Sequence, residues 1–314
     1  MIDVIIVNLN ADSQLRDAIQ SIAKFHHALV STIVIVDNAS IDESLAQVEA
    51  LDTFSFPLQI IRNSVNRGFG VACNQGAAQV KSKYLLFLNP DAAIFSNTLP
   101  KLLDFMNEPN NSAVGICGVQ LLNDAGYVSR SCARFPSASD FVAHSVGINR
   151  LFPRFSHFMA EWDHSDSRRV DQVIGAFFLV RREVFDVLHG FDERFFVYFE
   201  DLDFSLCAHE LGWHSFYLAD VQAFHSGGGT SKKIKANRLF YSLRSRLFYA
   251  FKHFSYKGAI AILLATLFLE PISRALLALS RCSWSGLKET LAAYGMLWSW
   301  LFQWVLKGAN FRRL

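Results

Sequence analysis

The chain has few cysteines, and none of them is arranged for a disulfide framework or a metal. Its 314 residues include five cysteines, an odd number, and no two of them form a C-x-x-C pair. This scatter argues against both a set of disulfides and a zinc site, and it is typical of a protein from a reducing compartment. The five are Cys73, Cys117, Cys132, Cys207 and Cys282.

The sequence also lacks the marks of an exported or membrane-spanning chain. It contains no internal repeat and no low-complexity tract, and it does not begin with a basic, then apolar, then small-residue leader, so we expect no signal peptide. Long apolar runs are absent as well. The run at 259–269 is interrupted by Glu270 and Pro271, and the run at 292–306 is also shorter than the roughly 20 residues that cross a bilayer.

Acidic residues are scarce in the last quarter of the chain. From Lys232 onward there are 14 lysines and arginines and only two acidic residues, a net charge of +12, whereas the preceding part has 16 basic and 26 acidic residues, a net charge of −10. Such segregation suggests a charged surface as partner, either a membrane or nucleic acid. A tryptophan-bearing apolar segment flanked by basic residues is typical of helices in the membrane interface. The alternative is a helical pair packed on the rest of the chain.

Hydrophobic residues make up 51% of the chain, and over the first ninety residues short apolar runs alternate with segments of helical spacing. The alternation predicts an α/β fold with a doubly wound, mainly parallel sheet sandwiched by helices. The predicted strands are 4–7, 33–36, 58–61 and 85–88, and the predicted helices are 12–25, a helix ending near 51, and 69–80.

The pattern is looser after residue 113. It predicts strands at 114–122, 173–180 and 215–218, a helix at 201–211 that ends at Gly212, and a helical tail from about residue 237. The irregular stretch at 123–171 is interpreted as an insertion that faces a substrate.

Three carboxylates, Glu200, Asp201 and Asp203, directly follow an aromatic run at 195–199. Because a carboxylate is costly to remove from water without a partner, the cluster indicates a cation, a basic partner or a reaction that needs a base. The alternative is a solvated first turn of a helix, stabilised by the helix dipole. The aromatic neighbours make that alternative the weaker one.

Two further polar groups follow predicted strands. Asp37 ends the second strand, and Asn89 and Asp91 follow the fourth. Open α/β sheets bind ligands at the carboxyl ends of their strands, and an oxygen ligand such as Asp91 suits Mg²⁺ or Mn²⁺. The alternatives are a helix cap for Asp37 and a simple Asn-Pro-Asp turn.

The segment at 66–74 has the glycine spacing of a dinucleotide-binding loop, but Cys73 replaces the third glycine and the segment follows the third strand instead of the first. A nicotinamide site is therefore disfavoured, and a loop that contacts some other nucleotide is retained. His225 precedes a run of glycines and then Lys232 and Lys233, which could close over a diphosphate. A structural histidine before a turn is equally consistent with this segment.

Taken in order, these motifs resemble glycosyltransferase family 2, the inverting enzymes with the GT-A fold, over roughly residues 2–233. Within that family the chain is similar to bacterial rhamnosyltransferases of the O-antigen and cell-wall type. The motifs that carry the resemblance are residues 7–10, 36–40, 66–70, 89–91, 190–193 and 198–203, with His225 last.

The resemblance implies a role for each motif. Asp201 would be the catalytic base, with Glu200 beside it, and Asp91 and His225 would hold Mg²⁺ or Mn²⁺. Asn89 occupies the first position of the family's D-x-D motif. The nucleotide-sugar-binding residues would be Asn8, Asp37, Asn66, Arg67, Gly68, Asn89 and Asp91. The acceptor-side residues would be Gly175, Ala176 and Asp203.

The implied protein has a GT-A domain at 1–233 and a basic, apolar helical region at 234–314 that associates with a membrane. We expect an inverting, metal-dependent enzyme, peripheral on the cytoplasmic face of the bacterial plasma membrane, that moves L-rhamnose from dTDP-rhamnose to a lipid-linked or growing cell-surface glycan. The expected partners are the donor, the acceptor and an anionic membrane surface, and nucleic acid is not expected to bind. A homodimer is left as an open alternative. The alternatives are a UDP-sugar donor such as UDP-galactofuranose, or an inactive GT-A module that serves as a membrane scaffold.

Overall fold

The computed structural model of the chain describes residues 1–51, 56–148, 157–159, 161–227 and 235–306. Their contacts divide the chain into two compact units. The first unit comprises Met1–Phe135, Trp162–Glu193 and Glu200–Thr230, and the second comprises Pro136–Glu161, Arg194–Phe199 and Ser231–Leu314. Much of the irregular stretch after residue 123 thus groups with the C-terminal helices. The predicted domain boundary at 233 lies outside the described residues.

The first unit is built on a mixed sheet and a small two-stranded sheet. The strands are β1 Ile2–Asn8, β2 Val30–Asp37, β3 Leu58–Arg62, β4 Tyr84–Leu88, β5 Ala92–Ile94, β6 Val114–Leu122, β7 Val128–Ser129, β8 Cys132–Ala133, β9 Arg168–Val170, β10 Gln172–Val173, β11 Phe177–Arg181 and β12 His214–His225. The main path of the mixed sheet runs β3-β2-β1-β4-β11-β6-β12-β5, with β7 beside β6 and β9 beside β12, and β8 pairs with β10 in the small sheet. Since β11 is antiparallel to both β4 and β6, the strands β3, β2, β1, β4, β6 and β12 all point the same way.

Helices cover this sheet. β1 and β4 are buried along their whole length, which is why their sequences are continuous apolar runs without polar alternation. Gly76 shows how closely a helix approaches, because a Cβ atom there would lie 2.6 Å from Cγ2 of Ile5 in β1. The helices of the first unit are α1 Gln14–His26, α2 Ser44–Glu49, α3 Phe69–Ala77, α4 Thr98–Asn107, a 3₁₀ turn Pro109–Asn111, α6 Arg182–Val187 and α7 Glu200–Glu210.

Strand register brings several strand ends to one edge of the sheet. Asn8 pairs with Asp37 at the ends of β1 and β2, and Leu88 at the end of β4 pairs with Phe177 at the start of β11. The loops that follow β1, β2 and β4, and the turn that precedes β11, therefore leave the sheet at the same edge.

The predicted strand at 173–180 is two strands in the structure, β10 and β11. Between them Gly175 donates its backbone N–H to Asp201, and Ala176 accepts from the backbone of Asn89, so neither residue continues a ladder. The predicted strand at 215–218 is longer than expected, because β12 passes through a register shift between Leu218 and Gln222 and then pairs with β6 and β5.

The second unit is helical. Its elements are α5 Ala138–Ser145, α8 Lys235–His253, α9 Tyr256–Leu264, a π turn Ala265–Leu269, α10 Glu270–Ser280 and α11 Trp284–Leu306. The apolar core between α8 and α11 is formed by Leu243, Leu247, Leu267, Tyr294, Leu297 and Leu301.

The expectation that Glu270 and Pro271 leave this apolar segment too short to cross a bilayer is wrong. Tyr256–Ser280 is one continuous helix, long and apolar enough by length and composition alone to cross a membrane, and 33% of its most apolar stretch is buried within the protein. In the π turn the Glu270 N–H bonds to the Ala265 carbonyl five residues back, a wider turn that accommodates the proline ring at the next residue.

Glu270 can lie inside this helix because two guanidinium groups neutralise it. Arg246 and Arg274 both pair with its carboxylate, which is 2% exposed. Burial alone would raise the pKa of Glu270, but the two arginines outweigh burial and lower it. The charge is thus compensated by a residue 24 positions earlier in the chain, which local sequence could not reveal.

Candidate active site

The loops after β1 and β2 are locked to each other by side-chain hydrogen bonds. The amide of Asn8 donates to Oδ1 of Asp37 at 2.8 Å and to Oγ of Ser44 at 2.8 Å. Oδ2 of Asp37 accepts from the Ser40 N–H at 3.1 Å, and Oγ of Ser40 accepts from the Asn10 N–H. Asn8 is fully buried and Asp37 is 4% exposed, so this pair forms a rigid base beneath the loops.

A second polar network joins the loop after β2 to the glycine loop before α3. The Asn38 amide donates to the carbonyl of Gly68 at 3.1 Å, and its Oδ1 accepts from Asn63. Oδ1 of Asn66 accepts from the Gly68 N–H. Gly68 has φ +90° and ψ 170°, a conformation that glycine alone adopts readily. The glycine therefore shapes the turn that starts α3, while Arg67 beside it is exposed.

The loop after β4 meets the end of β12. Ala92 and His225 are paired residues of β5 and β12, and the Ser226 N–H donates to the carbonyl of Asp91. This pairing holds Nε2 of His225 3.3 Å from Oδ1 of Asp91 and 3.5 Å from Nδ2 of Asn89. Asp91 and His225 are 9% and 13% exposed. A carboxylate, an imidazole and an amide thus converge in a mostly enclosed place.

Asp201 is connected to the same edge through the turn before β11. Its Oδ2 accepts from the Gly175 N–H at 2.8 Å, and its Oδ1 accepts from the N–H of Leu202. The next residue, Ala176, accepts a backbone hydrogen bond from Asn89 at 3.0 Å. Asp201 on α7 and the Asn89–Asp91 loop are therefore joined by two adjacent residues, although they are far apart in the sequence.

The adjacent carboxyl groups of Glu200 and Asp201 differ in their surroundings. Glu200 is 5% exposed, and its buried Oε2 has no hydrogen-bond partner among the described residues. Burial and the neighbouring Asp201 raise the pKa of Glu200 well above its usual range. Burial also raises the pKa of Asp201, but hydrogen bonds from the N–H groups of Gly175 and Leu202 favour its charged form. Asp201 is the better of the two at carrying a negative charge.

Aromatic packing fixes α7, which carries both carboxyl groups. The Phe191 ring lies 5.1 Å from that of Phe204 on α7 and 5.0 Å from that of Phe87 on β4. The side chain of Asn74 clasps Phe191 from α3, accepting from its N–H and donating to its carbonyl at 2.9 Å each. The sequence did not reveal Asn74, because nothing local distinguishes it from other helical asparagines.

The structure brings most of the predicted residues to one edge of the first unit, with differences in accessibility. Asp201 is partly exposed, whereas Asn8 and Asp203 are 0% and 2% exposed and cannot reach a ligand without movement. Direct ligand contact by Asn8 and an acceptor role for Asp203 stay predictions. The glycine and lysine loop after Gly227 lies outside the described residues.

Two rhamnosyltransferases are similar to this chain in sequence. The chain is 26% identical to an N-acetylglucosaminyl-diphospho-decaprenol L-rhamnosyltransferase of Mycobacterium tuberculosis over 66% of this chain and 70% of that one. It is 32% identical to the rhamnosyltransferase WbbL of Escherichia coli over 50% of this chain and 60% of that one.

Solved structures show the same fold. A mannosyltransferase of Pyrobaculum calidifontis, solved with GDP-mannose and Mn²⁺, superimposes with a TM-score of 0.57 at 16% identity and covers 94% of this chain and 86% of its own. TarS 1–349 of S. aureus superimposes with a TM-score of 0.54 at 15% identity, covering 96% and 91%. The sequence model described as glycosyl transferase family 2 matches residues 3–188, more than half of the chain. The chain belongs to glycosyltransferase family 2.

Proposed function

We propose that this protein is an inverting, metal-dependent glycosyltransferase that moves L-rhamnose from dTDP-L-rhamnose to a lipid-linked or growing cell-surface glycan. The observation that carries the proposal is the connection of Asp201 to the Asn89–Asp91 loop through Gly175 and Ala176. Inverting transfer needs a base on the acceptor side and a charge-compensating site on the side of the leaving diphosphate. Asp201 and Asp91 supply the two groups from one edge of the sheet.

Asp201 is the base in this proposal. The acceptor oxygen bonds to the anomeric carbon, the bond from that carbon to the diphosphate oxygen breaks, and the acceptor proton passes to the Asp201 carboxylate. A raised pKa makes Asp201 a stronger base than an ordinary aspartate. Burial and the neighbouring Asp201 raise the pKa of Glu200, which favours its neutral form beside the base.

The residues at the Asp91 site fit a divalent cation. Carboxylate oxygen, such as Oδ1 of Asp91, is the ligand that Mg²⁺ and Mn²⁺ prefer. The imidazole of His225 adds a nitrogen ligand, because its Nε2 lies 3.3 Å from that oxygen. Asp91 and His225 would hold the ion, with diphosphate oxygens and water completing its shell. When bound, the ion supplies positive charge to the leaving diphosphate.

The activities of two relatives support the choice of sugar and acceptor. Two of them are rhamnosyltransferases, and one is described as acting on an N-acetylglucosaminyl-diphospho-decaprenol. By this likeness the donor is a rhamnosyl nucleotide and the acceptor a sugar linked through diphosphate to a lipid. A UDP-sugar donor is the alternative within the same chemistry.

Membrane association at the cytoplasmic surface is part of the proposal. On the described helices of the second unit, large apolar side chains are exposed, among them Phe268 at 53%, Ile272 at 59% and Leu276 at 62%. The same region carries the net charge of +12. Apolar side chains and basic residues together suit an anionic lipid surface, where each basic residue near the surface contributes about 1 kcal/mol.

A membrane test uses the full chain. We expect Ile272→Ser combined with Leu276→Ser to reduce sedimentation with anionic liposomes. Ile41→Ser is the matched control, because Ile41 is 93% exposed and belongs to the first unit. Equal sedimentation of the double variant and the wild type would contradict membrane binding through this face.

The activity test uses purified protein, Mn²⁺, dTDP-L-rhamnose and a short-chain analogue of N-acetylglucosaminyl diphosphate lipid. Mass spectrometry should detect a product one rhamnose heavier, and NMR should show an anomeric configuration opposite to that of the donor. Running UDP-sugars in parallel tests the alternative donor. A chain that transfers no sugar, yet enriches other assembly proteins at the membrane, would support the scaffold alternative instead.

The base is tested by Asp201→Asn. We expect turnover to fall by about 10²- to 10⁴-fold, the usual contribution of a general base, with donor affinity nearly unchanged. Asp104→Asn is the control, since Asp104 is an exposed carboxylate on α4. Turnover of Asp201→Asn within a few-fold of the wild type would refute the assignment.

The metal site is tested by calorimetry with the nucleotide. Wild type should bind it more tightly with Mn²⁺ than with EDTA, and Asp91→Asn should remove most of that difference. Equal binding by the wild type under both conditions would count against a cation at Asp91.

A further inference from the structure

The second unit contains an arginine enclosed by aromatic rings, which we call the Arg244 cage. The guanidinium carbon of Arg244 lies 5.4 to 5.8 Å from four ring centroids. Three of the rings belong to α8, the helix of Arg244 itself, and the fourth precedes the Glu200–Asp201 pair by a few residues in the chain. The rings are those of Phe196, Phe240, Tyr241 and Phe248.

The cage is a built feature, because the segment that supplies Phe196 is fixed to α8 within this unit. The ring of Phe196 stacks on that of Tyr241 at 4.6 Å with an interplanar angle of 23°. Oγ of Ser245, the neighbour of Arg244, donates to the carbonyl of Val197 at 2.8 Å. The stacking on Tyr241 and the hydrogen bond from Ser245 together hold the Phe196 ring against the guanidinium of Arg244.

The charge of Arg244 is not balanced inside the cage. In the part of the chain that the structure describes, no carboxylate pairs with Arg244, and its buried Nε atom has no hydrogen-bond partner. Cation–π contacts offset part of the lost hydration, but they supply no hydrogen-bond acceptor for the N–H groups. Arg244 and the four rings are all partly exposed, so a ligand that carries hydrogen-bond acceptors can approach them from solvent.

We propose that Arg244 binds a phosphate group of the glycan acceptor and thereby selects acceptors that carry a diphosphate. A guanidinium fork matches the paired oxygens of a phosphate, and partly exposed aromatic faces suit the apolar surfaces on either side of the diphosphate. One ring of the cage, that of Phe196, belongs to the segment that directly precedes Glu200 and Asp201 in the chain. The proposal rests on the proposed function, which it deepens by naming a residue that recognises the acceptor class.

The test compares two soluble acceptors that carry the same N-acetylglucosamine, one on a short alkyl diphosphate and one as a neutral alkyl glycoside. For Arg244→Gln we expect KM for the diphosphate acceptor to rise about 10- to 100-fold, the range for hydrogen bonds to a charged group. KM for the neutral acceptor and for the donor should stay unchanged. Arg244→Lys should recover only part of the loss, because it keeps the charge without the fork.

Arg238→Gln is the matched control, because Arg238 is an exposed arginine on the same helix. It should leave both values of KM unchanged. Circular dichroism and a thermal melt establish that each variant folds. An equal rise of KM for the two acceptors, or a rise of KM for the donor, would overturn the proposal.

Two further measurements distinguish this proposal from binding of a lipid headgroup and from failure of the proposed function. If Arg244→Gln loses sedimentation with phosphatidylglycerol vesicles while its KM for the diphosphate acceptor stays unchanged, the ligand is a lipid headgroup and the proposal is wrong. If the wild type transfers sugar to neither acceptor, the proposed function fails. Calorimetry with the alkyl diphosphate sugar then tests phosphate binding by Arg244 on its own. Tighter binding by the wild type than by Arg244→Gln supports the cage, and equal binding overturns it.

Discussion

The hydrogen-bonded clasp between Asn74 and Phe191 makes a quantitative prediction at Gly190. Gly190 has φ +82°, and a Cβ atom there would lie 2.4 Å from Oδ1 of Asn74. An alanine in this left-handed conformation costs about 1 kcal/mol. Moving the Asn74 side chain away breaks its two hydrogen bonds to Phe191, at about 1 kcal/mol each. Gly190→Ala should therefore lower the free energy of unfolding by about 3 kcal/mol.

The control for Gly190→Ala is Gly126→Ala. Gly126 has φ +77°, but a Cβ atom added there would meet no other atom within 4 Å, so only the conformational cost of about 1 kcal/mol applies. Urea unfolding followed by tryptophan fluorescence measures both variants. In an Asn74→Ala background Gly190→Ala should cost only about 1 kcal/mol, which gives a coupling of about 2 kcal/mol. Equal losses for the two glycine variants, or an absent coupling, would refute the reasoning.

Three further predictions follow from burial and packing. The raised pKa of Glu200 means that its contribution to stability is fully present below the ordinary carboxyl pKa and is lost as pH rises through the raised pKa of the folded state. Glu200→Gln should therefore melt at progressively higher temperatures than the wild type as pH rises above the ordinary carboxyl pKa, and a constant difference in melting temperature across pH would contradict this. The kcat/KM of the wild type should fall as pH drops through the raised pKa of Asp201, and a flat pH–rate profile would exclude that base. Gly76→Ala should destabilise by about 1 to 3 kcal/mol in urea unfolding through overpacking against Ile5, whereas Gly295→Ala, with open space around it, should not.

The sequence predicted the framework well because the framework depends on local patterns. The strand at 114–122 has the predicted bounds, and the early strands and helices lie where apolar periodicity places them. Strand ends then carry the predicted polar residues to one edge, since parallel strands share their carboxyl ends. Asp37, Asn89 and Asp91 were therefore accessible to sequence reasoning.

The failures share a physical cause, which is compensation between residues distant in the chain. The strand predicted at 173–180 breaks because Gly175 bonds to a carboxylate 26 residues later. The helix at 256–280 continues through Glu270 because Arg246, 24 residues earlier, neutralises its charge. Side chains that act through such long-range bonds, Asn74 among them, leave no periodic signal in a single sequence.

The pair Glu200 and Asp201 explains why an inactive scaffold is a poor account of the first unit. Among the described residues no group donates a hydrogen bond to the buried Oε2 of Glu200, which lies beside a second carboxyl group. Once Glu200 is charged, this burial opposes folding by about 1.4 kcal/mol for every unit by which its pKa is raised. A glutamine would fill the same space and avoid that penalty. A base needs a raised pKa and access to its substrate, and Asp201 has a raised pKa and is partly exposed. The buried carboxyl pair thus lowers the stability of the fold at the position where a raised carboxyl pKa favours proton transfer.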